Sequence, residues 1–584
     1  MIYYVRSLFP GTAEGFAVMT HERERFRRRL CLYGVFLIAA LLRLLYLREL
    51  HHSDPFFDVP VVDSASYHAW AQRIANGDLL GTGLFYLAPG YPYLLGLIYA
   101  LLGVDFVCVY LVQIAMDLGI LLGLWGLGNR VFGHREGLLA AGLWAFYPMA
   151  AFFACKIGAE TPGVFWLVMG LWLLVGAAEG RGRARAMAAG LLVGMAVVTR
   201  TFFLALLPLL SLVLLAGRDG RGPLLGVTLA FLAGVGFCIA PVTIRNGLVA
   251  GEWVLISANS GLILYVGNNP QARGVATRIP GISQNVDEQW SDIQRYVEGR
   301  VGHPVSSGEV DAYWRGEVWS FIREEPWRFA TLLGRKFLLA LSAREHSDMY
   351  FASFEERNFT PLLRLFFVPI ALLIPLGVAG MVMRRPSKFA ALLMPVPATQ
   401  LMILLIFSVT ERYRFPAVPI LCLFAAHAVM GVSRRAFSKP RVWIPGLVLL
   451  GLTQSHRVFP LLEEGQFPPE VWYNAGYAYL ERREPEKAMR FLQEALAQRP
   501  YYPEAMLNLG NALYFQGMRD DAVEMWKRTL KLKRDYRLAL HNLAMALKES
   551  DPELAAKHWD SYVKASGAGP GERHRTTEVE GSTP

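Results

Sequence analysis

The sequence predicts an all-α membrane protein: a polytopic bundle of transmembrane helices followed by a C-terminal helical solenoid. Three observations predict it. The 584 residues are 54% hydrophobic, with a mean hydropathy of +0.31, and the apolar residues gather in runs of about twenty, the length that crosses a bilayer core. Basic residues concentrate in short loops between those runs, as the positive-inside bias requires. Beyond about Pro460 the runs stop, and a soluble helical pattern recurs at a fixed interval.

In chain order, residues 1–29 form a cytoplasmic N-terminal segment ending in the basic stretch His21 to Arg29. The run Leu30 to Leu50 is too long for a signal-peptide core and has no small-residue cleavage pattern behind it, so it reads as a retained anchor. Counting apolar runs through residue 459 gives roughly ten to twelve spans. The Lys- and Arg-rich loops 129–135, 180–185, 218–221, 384–388 and 433–441 can all face inside in one arrangement. That arrangement leaves outer loops at 51–93 and 245–343, with 156–161 and 411–414 also outside.

Two stretches need separate treatment. The run Tyr93 to Gly103 is short and reads as interfacial or re-entrant, whereas Met187 to Ala216 is long and holds Arg200, so it splits into two helices turning at that arginine. The 245–343 loop carries turn markers at Gly267 to Pro270 and at Pro280-Gly281. Amphipathic patterns around Glu309 to Arg323 and Pro326 to Leu341 then predict helices lying on the membrane surface.

Residues 460–565 repeat with a period of about 34. Asn474, Asn508 and Asn542 recur at that offset, as do Gly476, Gly510 and Ala544, then Ala478, Ala512 and Ala546, then Ala488, Ala522 and Ala556. Small residues at these places let the two helices of a hairpin approach closely, and the period is that of tetratricopeptide repeats; Trp472, Tyr479 and Pro500 fit that pattern in the first unit. Such arrays present a concave face to a protein partner. Residues 566–584 lack apolar periodicity and read as a disordered tail. The weak run Val442 to Val458 follows a basic loop; if it crosses, the repeats lie outside.

A net charge of +10 would suggest nucleic acid in a soluble protein, but here the charge lies in inter-span loops and implies no nucleic-acid partner. Cys31, Cys108, Cys155, Cys238 and Cys422 are scattered through apolar segments without CxxC pairing, which argues against a disulfide scaffold or a thiolate metal site. No GxxxxGK[ST], GxGxxG after a strand, HExxH or GxSxG motif occurs, so nucleotide-driven transport and zinc hydrolysis have no foothold.

Ionisable groups placed where lipid meets water are costly unless used. The segment after the first run holds Asp54, Asp58 and Asp63, then Tyr67 and His68. Tyr67, Trp70 and Ile74 recur at helical spacing, so Asp63 falls near the start of a surface helix, where it can cap the helix, carry chemistry, or do both. Glu160 suits a helix end and Arg200 suits snorkelling, while the packed charges Glu411 to Arg414 between two apolar runs are harder to read as decoration.

Asp63, Tyr67 and Ala71, then Gly77 and Pro89 to Gly103, resemble the first outer loop of the GT-C membrane glycosyltransferases, especially bacterial relatives of glycosyltransferase family 39. Tyr147-Pro148 through Glu160-Thr161, Gly190 to Arg200, Pro241 to Asn246 and Glu411 to Pro416 continue the resemblance in order, from about Leu30 to Val432. The resemblance implies an enzyme of the bacterial inner (plasma) membrane that moves a sugar from a polyprenyl-phosphate donor to an extracytoplasmic acceptor: protein, glycan or lipid. The family's essential acid maps onto Asp63. Many relatives carry two adjacent acids there, whereas this chain has Asp63-Ser64, so a second acid or acceptor-positioning group falls to Asp58, Glu160, Tyr67 or His68.

One general base beside a phosphate clamp makes an inverting displacement the simplest mechanism, with Arg200, Arg245, Arg412 and Arg414 as donor-phosphate ligands, because a guanidinium fork matches phosphate and stays charged. Oxygen ligands such as Asp58, Asp63 and Glu160 would suit Mg or Mn, although their spacing establishes no metal site. The competing reading is a lipid-linked-sugar transporter or flippase with a partner-binding repeat domain. Matching halves with interrupted spans, the mark of alternating access, are not evident in the sequence.

Overall fold

The computed structural model describes residues 13–180, 182–216, 224–276, 279, 286–383, 389–432, scattered positions from 447 to 453, and 467–566. The basic loops at 218–221, 384–388 and 433–441, the tail after Ser566, and most of the final weak run lie outside these residues. Among those described, every regular element is a helix. They divide into two compact units, one of residues 1–52 and 62–461, the other of 53–61 and 462–584.

The membrane unit begins with α1 (Ala13–Ser53), then α2 (Asp63–Ala75), α3 (Gly90–Leu102), α4 (Phe106–Val131), α5 (His134–Ala145), α6 (Pro148–Ala154) and α7 (Glu160–Gly180). It continues through α8 (Arg183–Thr199), α9 (Leu206–Ala216), α10 (Leu225–Ala250), α11 (Ser260–Gly267), α12 (Val286–Val301), α13 (Ser307–Glu324) and α14 (Pro326–Ala340). It closes with α15 (Ala352–Asn358), α16 (Ile370–Val382), α17 (Pro395–Ile406), α18 (Glu411–Arg414) and α19 (Val418–Val432).

Among the described residues, six helices are long and apolar enough to cross a membrane: Arg29–Ser53, Phe106–Val131, Glu160–Gly180, Leu225–Ala250, Pro361–Val382 and Glu411–Gly431. The α5–α6 pair, bent by 62°, makes a seventh if it counts as one span; Pro148 at the start of α6 has no N–H to continue the preceding turn. The protein is a multi-pass membrane protein with fewer long spans among the described residues than run counting suggests. Three runs are instead short apolar helices, Gly90–Leu102, Thr201–Ala216 and Ala390–Ile406. The sequence-based break at Arg200 is present: α8 stops at Thr199, and a 3₁₀ turn over Thr201–Ala205 leads into α9.

Small residues set the closest helix contacts. Gly190 and Gly194 on α8 sit against Phe231, Gly234 and Cys238 on α10, where any added Cβ would collide; backbone-to-backbone approach of this kind replaces the hydrophobic drive that lipid cannot supply. Inside the bundle, Arg43 of α1 pairs with Asp117 of α4 at 2.7 Å, both side chains fully buried. The Trp144 Nε1–H donates to the other Asp117 oxygen at 2.9 Å.

The helices of the 245–343 loop are amphipathic as expected. α13 opens with a capping box between Ser306 and Glu309. Lys336 of α14 is fully buried and its Nζ donates to Asn268 Oδ1 at 2.8 Å, Leu405 O at 3.1 Å and Phe407 O at 2.5 Å. Burial pushes this ammonium down to about 7, below an unfolded value of ~10.4. Across that window the unfolded chain binds more protons than the folded one, so the Lys336 contribution makes stability rise with pH from about 7 upward. Unfolding measured between neutral and alkaline pH should show this slope in wild type and lose it in Lys336→Met.

The second unit stacks three helical hairpins: Pro469–Glu481 with Pro485–Gln498, Pro503–Phe515 with Arg519–Leu532, and Arg537–Leu547 with Pro552–Ser566. Residues 53–61 belong to it, Arg482 donating to the Asp54 carbonyl at 3.0 Å. The repeating small positions act as the sequence implies. A Cβ on Gly510 would fall 2.5 Å from Trp526 Nε1, and Trp526 is buried, donating to Leu507 O at 3.2 Å and Asn511 Oδ1 at 3.1 Å. Gly510→Ala should therefore destabilise this unit by about 1–3 kcal/mol, read as a lower midpoint in its thermal unfolding.

Candidate functional site

Asp63 is the first residue of α2, and its carboxylate does not cap that helix: the N-cap is Val62, with no side-chain cap bond. Val62 is held at φ 53, a left-handed conformation that a β-branched residue adopts only under constraint. Immediately after this turn, Asp63 Oδ2 receives the Arg412 Nη2–H at 3.0 Å.

Arg412 is the hub. Its Nε donates to Glu160 Oε1 at 2.7 Å, and its Nη1 lies 3.8 Å from Asp348 Oδ2. Arg200 pairs with the same Glu160 oxygen. Each group is placed by a break in the helical pattern: Asp63 and Glu160 open α2 and α7, Arg200 ends α8, and Arg412 lies in the short α18 between α17 and α19. Carboxylates at helix N-termini are favoured by the macrodipole. Three carboxylates thus face two guanidinium groups.

Exposure separates their roles. The Glu160 and Arg200 side chains are 2% and 6% exposed, whereas Asp63 reaches 20%. Glu160 is sealed beneath the site, and Asp63 is open to an incoming molecule. Burial pushes the Asp348 carboxyl up, with Arg412 pulling the other way. Tyr67, one turn after Asp63, packs edge-on against Tyr91 at 5.1 Å, and its phenol is raised by burial and then by the Asp63 charge.

Further along α2, Trp70 and Arg73 line a cavity of about 580 Å³ with Phe85, Tyr86, Arg245 and Trp290. Tyr86 donates to Gln289 Oε1 at 2.8 Å. Its phenol is raised by burial and then by the Asp63 charge.

The other sequence candidates lie elsewhere. His68 turns to the Tyr99 hydroxyl at 2.8 Å and to the Phe106 ring, and burial lowers its basicity. Asp58 is exposed in the segment that belongs to the repeat unit. Arg245 donates to Leu80 O at 2.7 Å and Gly83 O at 2.5 Å and lies 3.9 Å over the Phe85 ring, pinning the loop before α3. Arg414 caps the end of α14 through Ser342 O at 2.8 Å and Arg344 O at 2.9 Å and pairs with Glu345. Asp348 was missed because it stands in a polar loop where a carboxylate is unremarkable, 64 positions before the Arg412 it approaches in the fold.

Asp63, Glu160 and Asp348 surround a guanidinium rather than a common point, and no group of three His, Cys, Asp or Glu among the described residues converges to hold a metal ion.

Residues 87–244 match the family model described as dolichyl-phosphate-mannose-protein mannosyltransferase. Residues 358–497 match the Alg9-like mannosyltransferase family, running into the first repeat, and residues 479–547 match the tetratricopeptide repeat. No curated protein matches the chain. Among solved structures, it is similar to the apo oligosaccharyltransferase of Archaeoglobus fulgidus, at 14% identity over 76% of this chain and 57% of that one, TM-score 0.41. It is also similar to AglB of the same organism in complex with an inhibitory peptide and a dolichol-phosphate, at 14% identity over 81% and 60%, TM-score 0.42. A third is ArnT of Cupriavidus metallidurans bound to undecaprenyl phosphate, at 16% identity over 89% and 81%, TM-score 0.36. The chain spans 57–60% of the length of the two archaeal enzymes. The chain is thus a multi-pass membrane protein similar to the dolichyl-phosphate-mannose-protein mannosyltransferases over residues 87–244 and to the Alg9-like mannosyltransferases over residues 358–497, with a match to tetratricopeptide repeats over residues 479–547.

Proposed function

We propose that the protein transfers a sugar from a polyprenyl-phosphate donor to an acceptor hydroxyl outside the cytoplasm of a bacterium, by direct displacement with inversion. The observation that carries this reading is the convergence of Asp63, Glu160 and Asp348 on Arg412, with Asp63 20% and Asp348 19% exposed while Glu160 is buried. A hydroxyl is a weak nucleophile near neutral pH, and a carboxylate within hydrogen-bond reach can accept its proton as the new bond forms. The hydroxyl oxygen attacks the anomeric carbon, the carbon–oxygen bond to phosphate breaks, and the phosphate leaves with the electron pair. The proton passes to Asp63.

Glu160 holds Arg412 and Arg200 in place, and those cations supply a positive field on the donor side. The cavity beside Tyr86 receives the acceptor. Its rings and hydroxyl groups accept a glycan or a peptide side chain, and the repeats, placed outside with the site, grip a protein acceptor or partner.

The test uses full-length protein in detergent with a polyprenyl-phosphate sugar labelled at the anomeric carbon, together with peptide and oligosaccharide acceptors. Product of the opposite anomeric configuration to the donor is expected by NMR. Retained configuration would remove the single-displacement mechanism, and lipid scrambling in vesicles without any transfer would favour the flippase.

A further inference from the structure

Helix α2 carries more than the acid at its start. Asp63, Ser66, Trp70 and Arg73 follow one another at intervals of three, four and three residues, which sets them on one stripe of the helix. With a rise of ~1.5 Å per residue, Ser66 stands about 4.5 Å and Arg73 about 15 Å along the axis from Asp63. Ser66, Trp70 and Arg73 all line the cavity of about 580 Å³ described above. The stripe therefore leads from the acid into that cavity.

The walls combine two kinds of group. Trp70 lies 5.0 Å from Phe85 between ring centroids, and Tyr86 lies 5.7 Å from Trp290, so the aromatic surface comes from separate parts of the chain. Ser66, Thr82 and Ser307 add hydroxyl groups. Ser66 is 7% exposed, and its Oγ has no hydrogen-bond partner among the described residues. A buried hydroxyl left unmet is costly, and a ligand that reaches it recovers that cost. Arg245 is already committed to Leu80 O at 2.7 Å and Gly83 O at 2.5 Å, which leaves the rings, the hydroxyl groups and the exposed Arg73 to meet a ligand.

This lining discriminates among acceptor classes. A pyranose ring has apolar C–H faces that lie well on aromatic rings and an edge of hydroxyl groups that needs hydrogen-bond partners. An extended peptide satisfies its backbone at the edge of a sheet, and no strand occurs among the described residues. An acyl chain would leave Ser66 unanswered. The volume falls within the range of roughly 300–1,000 Å³ that takes a ligand of drug size, which is more than one sugar ring.

We infer that the cavity is an acceptor subsite for an oligosaccharide of at least two sugar residues, whose terminal ring offers a hydroxyl to Asp63 while the next rings stack on Trp70 and Trp290. The inference rests on the transfer reaction proposed above and narrows its acceptor. The hydroxyl oxygen forms the new glycosidic bond, its proton passes to Asp63, and the polyprenyl phosphate leaves with the electron pair.

The test is saturation-transfer NMR on the full-length protein in a detergent without a sugar headgroup. Cellotetraose, mannotetraose and N-acetylchitotetraose serve as probes beside an octapeptide containing Ser and Thr. At least one tetraose should bind at least tenfold more tightly than its monosaccharide and than the peptide. Trp70→Ala and Trp290→Ala should each weaken that binding at least tenfold, with Trp70→Phe recovering part of the loss. Ser66→Ala should weaken it about 3- to 10-fold without lowering the midpoint of thermal unfolding, because the hydroxyl it removes has no partner in the fold. Unchanged tetraose binding by folded Ser66→Ala protein overturns the inference, whether or not Trp70→Ala folds. So does a peptide that binds more tightly than every tetraose, or a failure of all three tetraoses to bind. Asp63→Asn should bind the tetraose like wild type while transferring nothing. Transfer that survives in that variant defeats the mechanism and leaves the sugar site standing, whereas wild-type transfer to the peptide alone defeats the acceptor class and leaves the mechanism standing.

Discussion

Asp63→Asn is expected to lower sugar transfer by about 10²- to 10⁴-fold, the range for losing a positioned general base, while thermal unfolding stays close to that of wild type. The amide keeps the shape of the side chain and an oxygen that can accept from Arg412, but it cannot take a proton. Stability changes little because Asp63 is one-fifth exposed and Arg412 retains Glu160 at 2.7 Å; a partly solvated ion pair contributes only about 0–1 kcal/mol. Donor binding should persist, so the loss falls on turnover. Transfer at the wild-type rate in the folded variant would take Asp63 out of the mechanism.

The largest stability effect is expected inside the bundle. Asp117→Asn or Arg43→Met breaks an ion pair with no solvent exposure on either side and leaves its partner charged among apolar helices. Removing one member of such a pair costs about 3–5 kcal/mol. Arg43 also donates to Ala145 O at 2.5 Å, the last residue of α5, so the effect should reach the bent pair α5–α6. The double variant Arg43→Met, Asp117→Leu should recover much of the loss, since a matched apolar pair replaces the charges without stranding one. Midpoints of thermal unfolding in detergent distinguish the three proteins, and equal midpoints for the single variants and wild type would show that the pair contributes nothing.

Much of this was legible in the sequence because membrane and repeat physics write themselves plainly. The solenoid declared itself through small residues at a fixed interval, and Gly476 and Gly510 stand where facing helices leave no room for a side chain. Asp63, Glu160, Arg200 and Arg412 stood out because charge is scarce among apolar runs, and the fold gathers all four. What the sequence could not convey was the partner of each arginine. Arg245 and Arg414 look like phosphate ligands until their backbone acceptors are seen, and a carbonyl group carries no residue signature. Run counting gave more spans than the six or seven long apolar helices found among the described residues, whereas the stretch from Tyr93 set apart in the sequence as short does form the short helix Gly90–Leu102.

The oxygen of Asp63 and the nitrogen of Arg412 that meet are separated by 349 positions of chain. During synthesis the acid emerges early and waits, with its counter-ion still unmade on the ribosome, until nearly the whole membrane unit has been inserted. A polypeptide arrested at any point before residue 412 therefore carries an acid without its partner, and this corner of the molecule comes together only with the arrival of the last spans.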